Sequence, residues 1–109
     1  MSEGIGELRD VDDQTVGELR GKLLDNNLTL PARYRALYAL RSASGPAAGA
    51  ALRAALDPAL VPSALLRHDV AFCLGQRQDA SAVEALVSLL EDTSEHPMVR
   101  HEAGEALGD

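Results

Sequence analysis

The chain has 109 residues, a formal net charge of −7 and a pI near 4.8, with 46% of its residues hydrophobic, 25% charged and 3% aromatic. That is chain enough for one domain with one continuous core, and the balance of apolar and charged residues excludes a disordered segment. No basic stripe is present to neutralise phosphates, which excludes nucleic acid as the expected partner; no apolar run approaches the roughly 18 residues of a membrane span, and the single cysteine, Cys73, excludes a disulfide framework.

Residues 1–7 have neither a basic nor an apolar segment of a signal peptide, so the cytoplasm is the expected location. Residues 1–11, rich in Gly and acids, are expected to be a flexible N-terminus to a folded domain over 12–109. Asp12 or Asp13 can cap a first helix with an apolar stripe of Val16, Leu19 and Leu23, ended by Asn26-Asn27. Pro31 opens a second helix where its missing N–H costs nothing, and the pattern runs through Tyr34, Leu37, Tyr38 and Leu40 to about Ser42. Ser44-Gly45-Pro46 is a loop, followed by a third helix of Ala, Leu and Gly over about 46–56. Asp57-Pro58 through Pro62 leads into a fourth helix that starts near Pro62-Ser63 and stops at Gly75, read as the residue just past the helix end. A fifth helix covers about 80–91, with Val83, Leu86, Val87 and Leu90 on one face. Thr93-Ser94-Glu95-His96 is a loop, and Pro97 opens a sixth helix that stops at Leu107-Gly108.

These elements repeat. Leu40, Leu74 and Leu107 recur at spacings of 34 and 33 residues, Arg33, Arg67 and Arg100 each precede them by seven, and Leu56 and Leu90 each follow the first two by 16. A core of Leu, Ala and Val with this period predicts an all-α, HEAT-type solenoid of about six helices, two full repeats plus partial units. The last unit has its first helix only, so the solenoid is expected to be interrupted there.

Two triplets, Arg67-His68-Asp69 and Arg100-His101-Glu102, stand 33 residues apart at the same phase of the repeat. Equivalent residues of stacked units lie side by side, so imidazoles and carboxylates are expected to converge on one volume. Adjacent residues on a helix point about 100° apart, which lets His101 and Glu102 straddle a metal placed between them, with His68 one repeat away. Two imidazoles and a carboxylate are the donor set that leaves iron(II) open positions for dioxygen and substrate. A His-acid dipeptide alone is usually solvated and identifies nothing; the shared phase is the informative part. The first unit carries Tyr34-Arg35 where the others carry the His-acid pair, as a capping unit without the site would. Cys73 reads as a packed core residue, His96 as exposed or capping, Tyr34 and Tyr38 as packing residues, and Arg67 and Arg100 as partners of acids on neighbouring helices.

The residues that carry these features resemble those of the deoxyhypusine hydroxylase family. The matching stretches are 34–41, 66–76, 87–92 and 96–108, the last being His-Pro-Met-Val-Arg-His-Glu-Ala-Gly-Glu-Ala-Leu-Gly, and the resemblance extends over about 17–109. It implies a HEAT-like fold of two similar halves that together hold a non-haem di-iron centre. That centre uses dioxygen to hydroxylate deoxyhypusine, an aminobutylated lysine on a translation initiation or elongation factor. Carried over by position, it implies that His68, His101 and Glu102 bind Fe(2+) and that Asp69 stands where the family has Glu, as a ligand or a near-ligand acid. Asp reaches about 1.5 Å less far than Glu. One half-site only is expected, completed by a C-terminal half or a second copy, so the chain alone is expected to be inactive. The competing reading is a non-catalytic HEAT-repeat scaffold whose face binds a protein; bilin-lyase repeats share the helix pattern, but nothing in the sequence provides a bilin site.

Overall fold

The computed structural model describes residues 6–108, which form six α-helices and no strand. They are α1 (Asp13–Leu24), α2 (Leu30–Arg41), α3 (Pro46–Ala54), α4 (Ala64–Arg77), α5 (Val83–Glu91) and α6 (Pro97–Gly108), with one 3-10 turn, Ala80–Ala82, leading into α5. The starts follow from local chemistry. The Asp12 carboxylate accepts from Thr15 N–H at 2.7 Å at the head of α1, and Ser63 Oγ accepts from Leu66 N–H at 3.2 Å at the head of α4. Pro31, Pro46 and Pro97 occupy first-turn positions, where no N–H is needed.

The helices α2, α4 and α6 are the first helices of three successive units, and α3 and α5 are the second helices of two. Leu37, Leu40, Leu52, Leu66, Val70, Leu74 and Val99 are fully buried between them and form one continuous core. Two of the repeated arginines tie their unit to the helix before it. Arg33 Nε donates to Leu23 O and Arg100 Nε to Leu90 O, both at 3.0 Å, so each closes a last-turn carbonyl that its own helix leaves open. Between units, the Arg77 side chain reaches back to the end of α2 and donates to Leu40 O, Arg41 O and Ala43 O.

Of the stretch 1–11, residues 1–5 lie outside the described residues; within the rest, Arg9 N–H donates to Ser42 O at 2.8 Å and Ser44 N–H to Arg9 O at 2.7 Å, beside the end of α2. Two expectations change. Helix α4 runs past Gly75 to Arg77, and it is Gln78, at φ +53°, that takes the left-handed conformation at its end. Along the 3-10 turn and α5 the buried residues are Ala82, Leu86 and Leu89; of the expected stripe Leu86 is buried, whereas Val83 is 49% exposed and Leu90 37%. Spacings of four and three put the three buried residues on one helix face, turned from the one that 83, 87 and 90 share.

Candidate functional site

The site lies along the seam where α4 and α6 pack together. An added Cβ on Gly75 would lie 2.8 Å from Ala106 Cβ and 3.1 Å from its Cα, so this position must stay bare for the two helices to touch. One to two turns earlier on each helix, the same close approach puts His68 opposite Glu102, with His68 Nε2 3.0 Å from Glu102 Oε1. The other imidazole nitrogen, Nδ1, lies 2.8 Å from Asp69 Oδ1. The second oxygen of Asp69 accepts a 2.5 Å hydrogen bond from the Tyr34 hydroxyl on α2. Four side chains from the first helices of three units thus form one chain: Tyr34, Asp69, His68, Glu102.

Proton positions follow from what each group can do. An ionised carboxylate only accepts, so Asp69 places a proton on His68 Nδ1. The Nε2 side then faces a carboxylate and can meet it only across one further proton. Burial pushes the Glu102 carboxyl above its ordinary pKa and the Glu105 charge adds to this, against the pull of His68 and His101. Burial, with the Asp69 bond next in weight, also pushes the Tyr34 phenol up, so it stays a donor.

Of the four residues expected to bind metal, His68, Asp69 and Glu102 come together and His101 does not join them. Its imidazole is 73% exposed and its Nε2 lies 3.3 Å from Glu105 Oε1, one turn along α6. The reason is helical geometry: with Glu102 turned into the α4 contact, the residue before it points about 100° away. Among the described residues no group of three or more His, Cys, Asp or Glu side chains already surrounds a common metal position. Asp69 has both oxygens occupied, by Tyr34 and by His68.

The neighbours sort as follows. Cys73 is buried in the core, and burial pushes its thiol up to about 12 against the opposing charge of Arg41. His96 caps α6, its Nδ1 accepting from Met98 N–H at 3.1 Å. Arg67 does pair with an acid: Nε and Nη2 fork onto Glu95 at 3.0 and 2.6 Å, in the loop before α6. Arg100 does not; it holds the Leu90 carbonyl instead. Tyr34 is more than packing, and the signal for it was available: it stands at the repeat phase of His68, so it faces the same line of side chains.

Two sequence families of helical repeats match the chain: "HEAT repeats" over residues 59–109 and "PBS lyase HEAT-like repeat" over residues 32–58. The chain is a HEAT-repeat protein with a His–carboxylate network across the first helices of its units. Its similarity to known proteins is much closer than that class alone requires. It is 50% identical over 98 residues to the deoxyhypusine hydroxylase of Gallus gallus and 51% to that of Homo sapiens, in each case over 90% of this chain and 32% of the relative. Against deoxyhypusine hydroxylase-B of Oryza sativa subsp. japonica it is 54% identical over 93 residues, 85% of this chain and 30% of the relative. The solved structure of human deoxyhypusine hydroxylase in complex with glycerol superimposes with a TM-score of 0.81 at 49% identity, over 89% of this chain and 34% of that one. Deoxyhypusine hydroxylase is therefore what this chain resembles in sequence and in fold, and the chain spans about a third of those relatives' length.

No helix among the described residues is long and apolar enough to cross a membrane.

Proposed function

We propose that this chain carries one half-site of a deoxyhypusine monooxygenase, with His68, His101 and Glu102 as the residues that would hold Fe(2+) and Asp69 as the carboxylate that orients His68. The observation that carries this reading is the His68–Glu102 contact at 3.0 Å, with Nδ1 already held by Asp69, in a chain about half identical to deoxyhypusine hydroxylases. The donor set fits the ion. Two lone-pair donors meeting across a single proton is what a metal pair looks like with a proton in the metal's place, and a divalent cation displaces such a proton on binding. His101 adjoins Glu102 and is exposed, and in this reading its ring swings toward the pair when the ion binds. A bound iron would supply dioxygen activation.

The protein's own residues do the rest. Asp69 fixes the tautomer that presents Nε2, the arrangement by which carboxylates commonly orient ligating histidines. Leu65 and Phe72 flank His68 and Asp69 on α4 and are exposed, offering an apolar surface to the methylene arm of deoxyhypusine on a translation initiation or elongation factor. The net charge of −7 suits the amines of that arm. In this reading a second set of ligands, from a C-terminal half or a second copy, faces the first to complete a di-iron centre, and the chain by itself does not hydroxylate deoxyhypusine. The location proposed is cytoplasmic.

Anaerobic iron(II) loading followed by metal analysis tests the reading. About one iron per half-site, lost in His68→Ala, supports it. Equal and negligible iron in both chains favours the scaffold reading, in which the outward-turned His101 is simply a surface residue.

A further inference from the structure

We propose that Tyr34 is a positioning residue for the metal half-site: its hydroxyl pins Asp69 so that Asp69 fixes the ring of His68 and presents Nε2 for metal binding. This rests on the half-site reading above and extends it to a residue of the neighbouring unit. The geometry requires a pin. Asp69 and His68 are adjacent in α4, and adjacent side chains leave a helix about 100° apart, so a bond between them is not the default. It forms here because the Asp69 carboxylate is swung toward the imidazole, with Oδ1 on Nδ1 at 2.8 Å and Oδ2 on the Tyr34 hydroxyl at 2.5 Å.

Without the hydroxyl nothing else among the described residues holds that rotamer, because Asp69 makes no side-chain polar contact besides those to Tyr34 and His68. Tyr34 itself is well placed to act as a fixed post. It is partly buried on α2, next in sequence to Arg33, whose Nε bond to Leu23 O anchors the first turn of the helix. Its ring packs at 6.1 Å from that of Tyr38, tilted by 38°. The residue that lacks a His-acid pair in the first unit therefore supports the pair in the second. Cys73, one turn beyond Asp69, offers no alternative, being a thiol in the core.

The test is a double-mutant cycle read by cobalt(II) affinity. Tyr34→Phe is expected to weaken binding about 10- to 100-fold, the usual cost of losing a group that orients a metal ligand. The same substitution in an Asp69→Ala background is expected to change nothing, because the hydroxyl acts only through that carboxylate. Tyr38→Phe, in a neighbouring ring outside the chain of bonds, is expected to bind as the parent does. Unchanged affinity in Tyr34→Phe, or a full extra loss in the Asp69→Ala background, overturns the proposal. A second measurement needs no metal: two-bond proton–nitrogen NMR correlations of the His68 ring report its tautomer. A single Nδ1–H form in the parent that becomes a mixture in Tyr34→Phe supports the relay, and an unchanged pattern overturns it. If the parent chain takes up no cobalt, the half-site reading fails and the NMR result alone decides the role of Tyr34. Should Tyr34→Phe fail to fold, by circular dichroism, Asp69→Ala removes the other end of the same bond and must produce the same tautomer mixture.

Discussion

The triplets Arg67-His68-Asp69 and Arg100-His101-Glu102 hold the same repeat phase and do different things. In the first, Arg67 is buried on a fork with Glu95, and His68 is held at both nitrogens. In the second, Arg100 closes one carbonyl at the surface and His101 meets only Glu105, while Glu102 is the member that turns inward. Repeat phase copies a position on a helix; the neighbouring helices decide what that position becomes. Helix α4 has α2 on one side and α6 on the other, so its inward residues find partners in both directions. Helix α6 has α4 and α5, and among the described residues nothing beyond.

The largest expected effect breaks this asymmetry at its centre. His68→Ala and Glu102→Ala should each abolish iron binding while helicity stays close to that of the parent, measured by metal analysis and circular dichroism on the same samples. His101→Ala should abolish it too, if the exposed ring turns in to complete the set, and this is the sharper comparison. Iron retained by His101→Ala at the parent level would confine the site to His68 and Glu102. A lost fold in any of the three would mean a structural role.

Next in size is the buried arginine. Arg67→Ala leaves the Glu95 carboxylate buried without its partner and frees the carbonyls of Val61 and Pro62, which Arg67 Nη1 holds at 2.8 and 3.0 Å. Breaking a buried pair in this way costs about 3–5 kcal/mol. Arg100→Ala removes one hydrogen bond at the surface and should cost about 1 kcal/mol. Urea unfolding of the two variants checks the contrast, and equal losses would mean that the shared phase outweighs the difference in burial.

The helix contact itself comes third. Gly75→Ala places a methyl 2.8 Å from that of Ala106, forcing α4 and α6 apart at an expected cost of about 1–3 kcal/mol. Because the His68–Glu102 contact depends on the same approach, iron affinity should fall with stability. Gly104→Ala is the control on the facing helix, since its added methyl would meet only Leu90 Cδ1, at an ordinary 3.6 Å.

Much of this fold was legible in the sequence, and the particular residues show why. Pro31, Pro46 and Pro97 fix three helix starts by covalent geometry alone, and the Leu40, Leu74 and Leu107 period fixes the stacking. What the sequence could not give was rotation about a helix axis. On α5 Leu89 and not Leu90 enters the core, and on α6 Glu102 and not His101 turns inward. Gly75 could be read as a helix end because a bare glycine serves there as well as at a close contact; only the position of Ala106 distinguishes the two. Tyr34 joined the site through a bond between units 35 residues apart, which repeat phase indicates but local spacing does not.

The smallest effect concerns acid. Glu95 and Asp92 sit near Arg67 and Arg100 respectively, and both carboxyls lie below their ordinary pKa, for different reasons. At Glu95 burial works against the charge, and the Arg67 hydrogen bonds and the His96 N–H outweigh it. At Asp92, which is fully exposed, the Ser94 side chain and N–H dominate and Arg100 adds little. The folded state thus holds each proton less tightly than the unfolded chain does. Such a group stabilises above its unfolded pKa, about 4 for a carboxylate, and loses that contribution as pH falls through its lower folded value. Glu95→Gln should therefore flatten the fall in stability between about pH 5 and 3, although its loss of charge on a buried arginine also lowers the plateau at neutral pH. Asp92→Asn should leave the slope nearly unchanged, since its ties are local turn bonds at the surface that partly persist in the unfolded chain. Thermal midpoints across that pH range separate the two. Equal flattening by both variants would place the acid sensitivity in the surface turns and not in the buried Arg67–Glu95 fork.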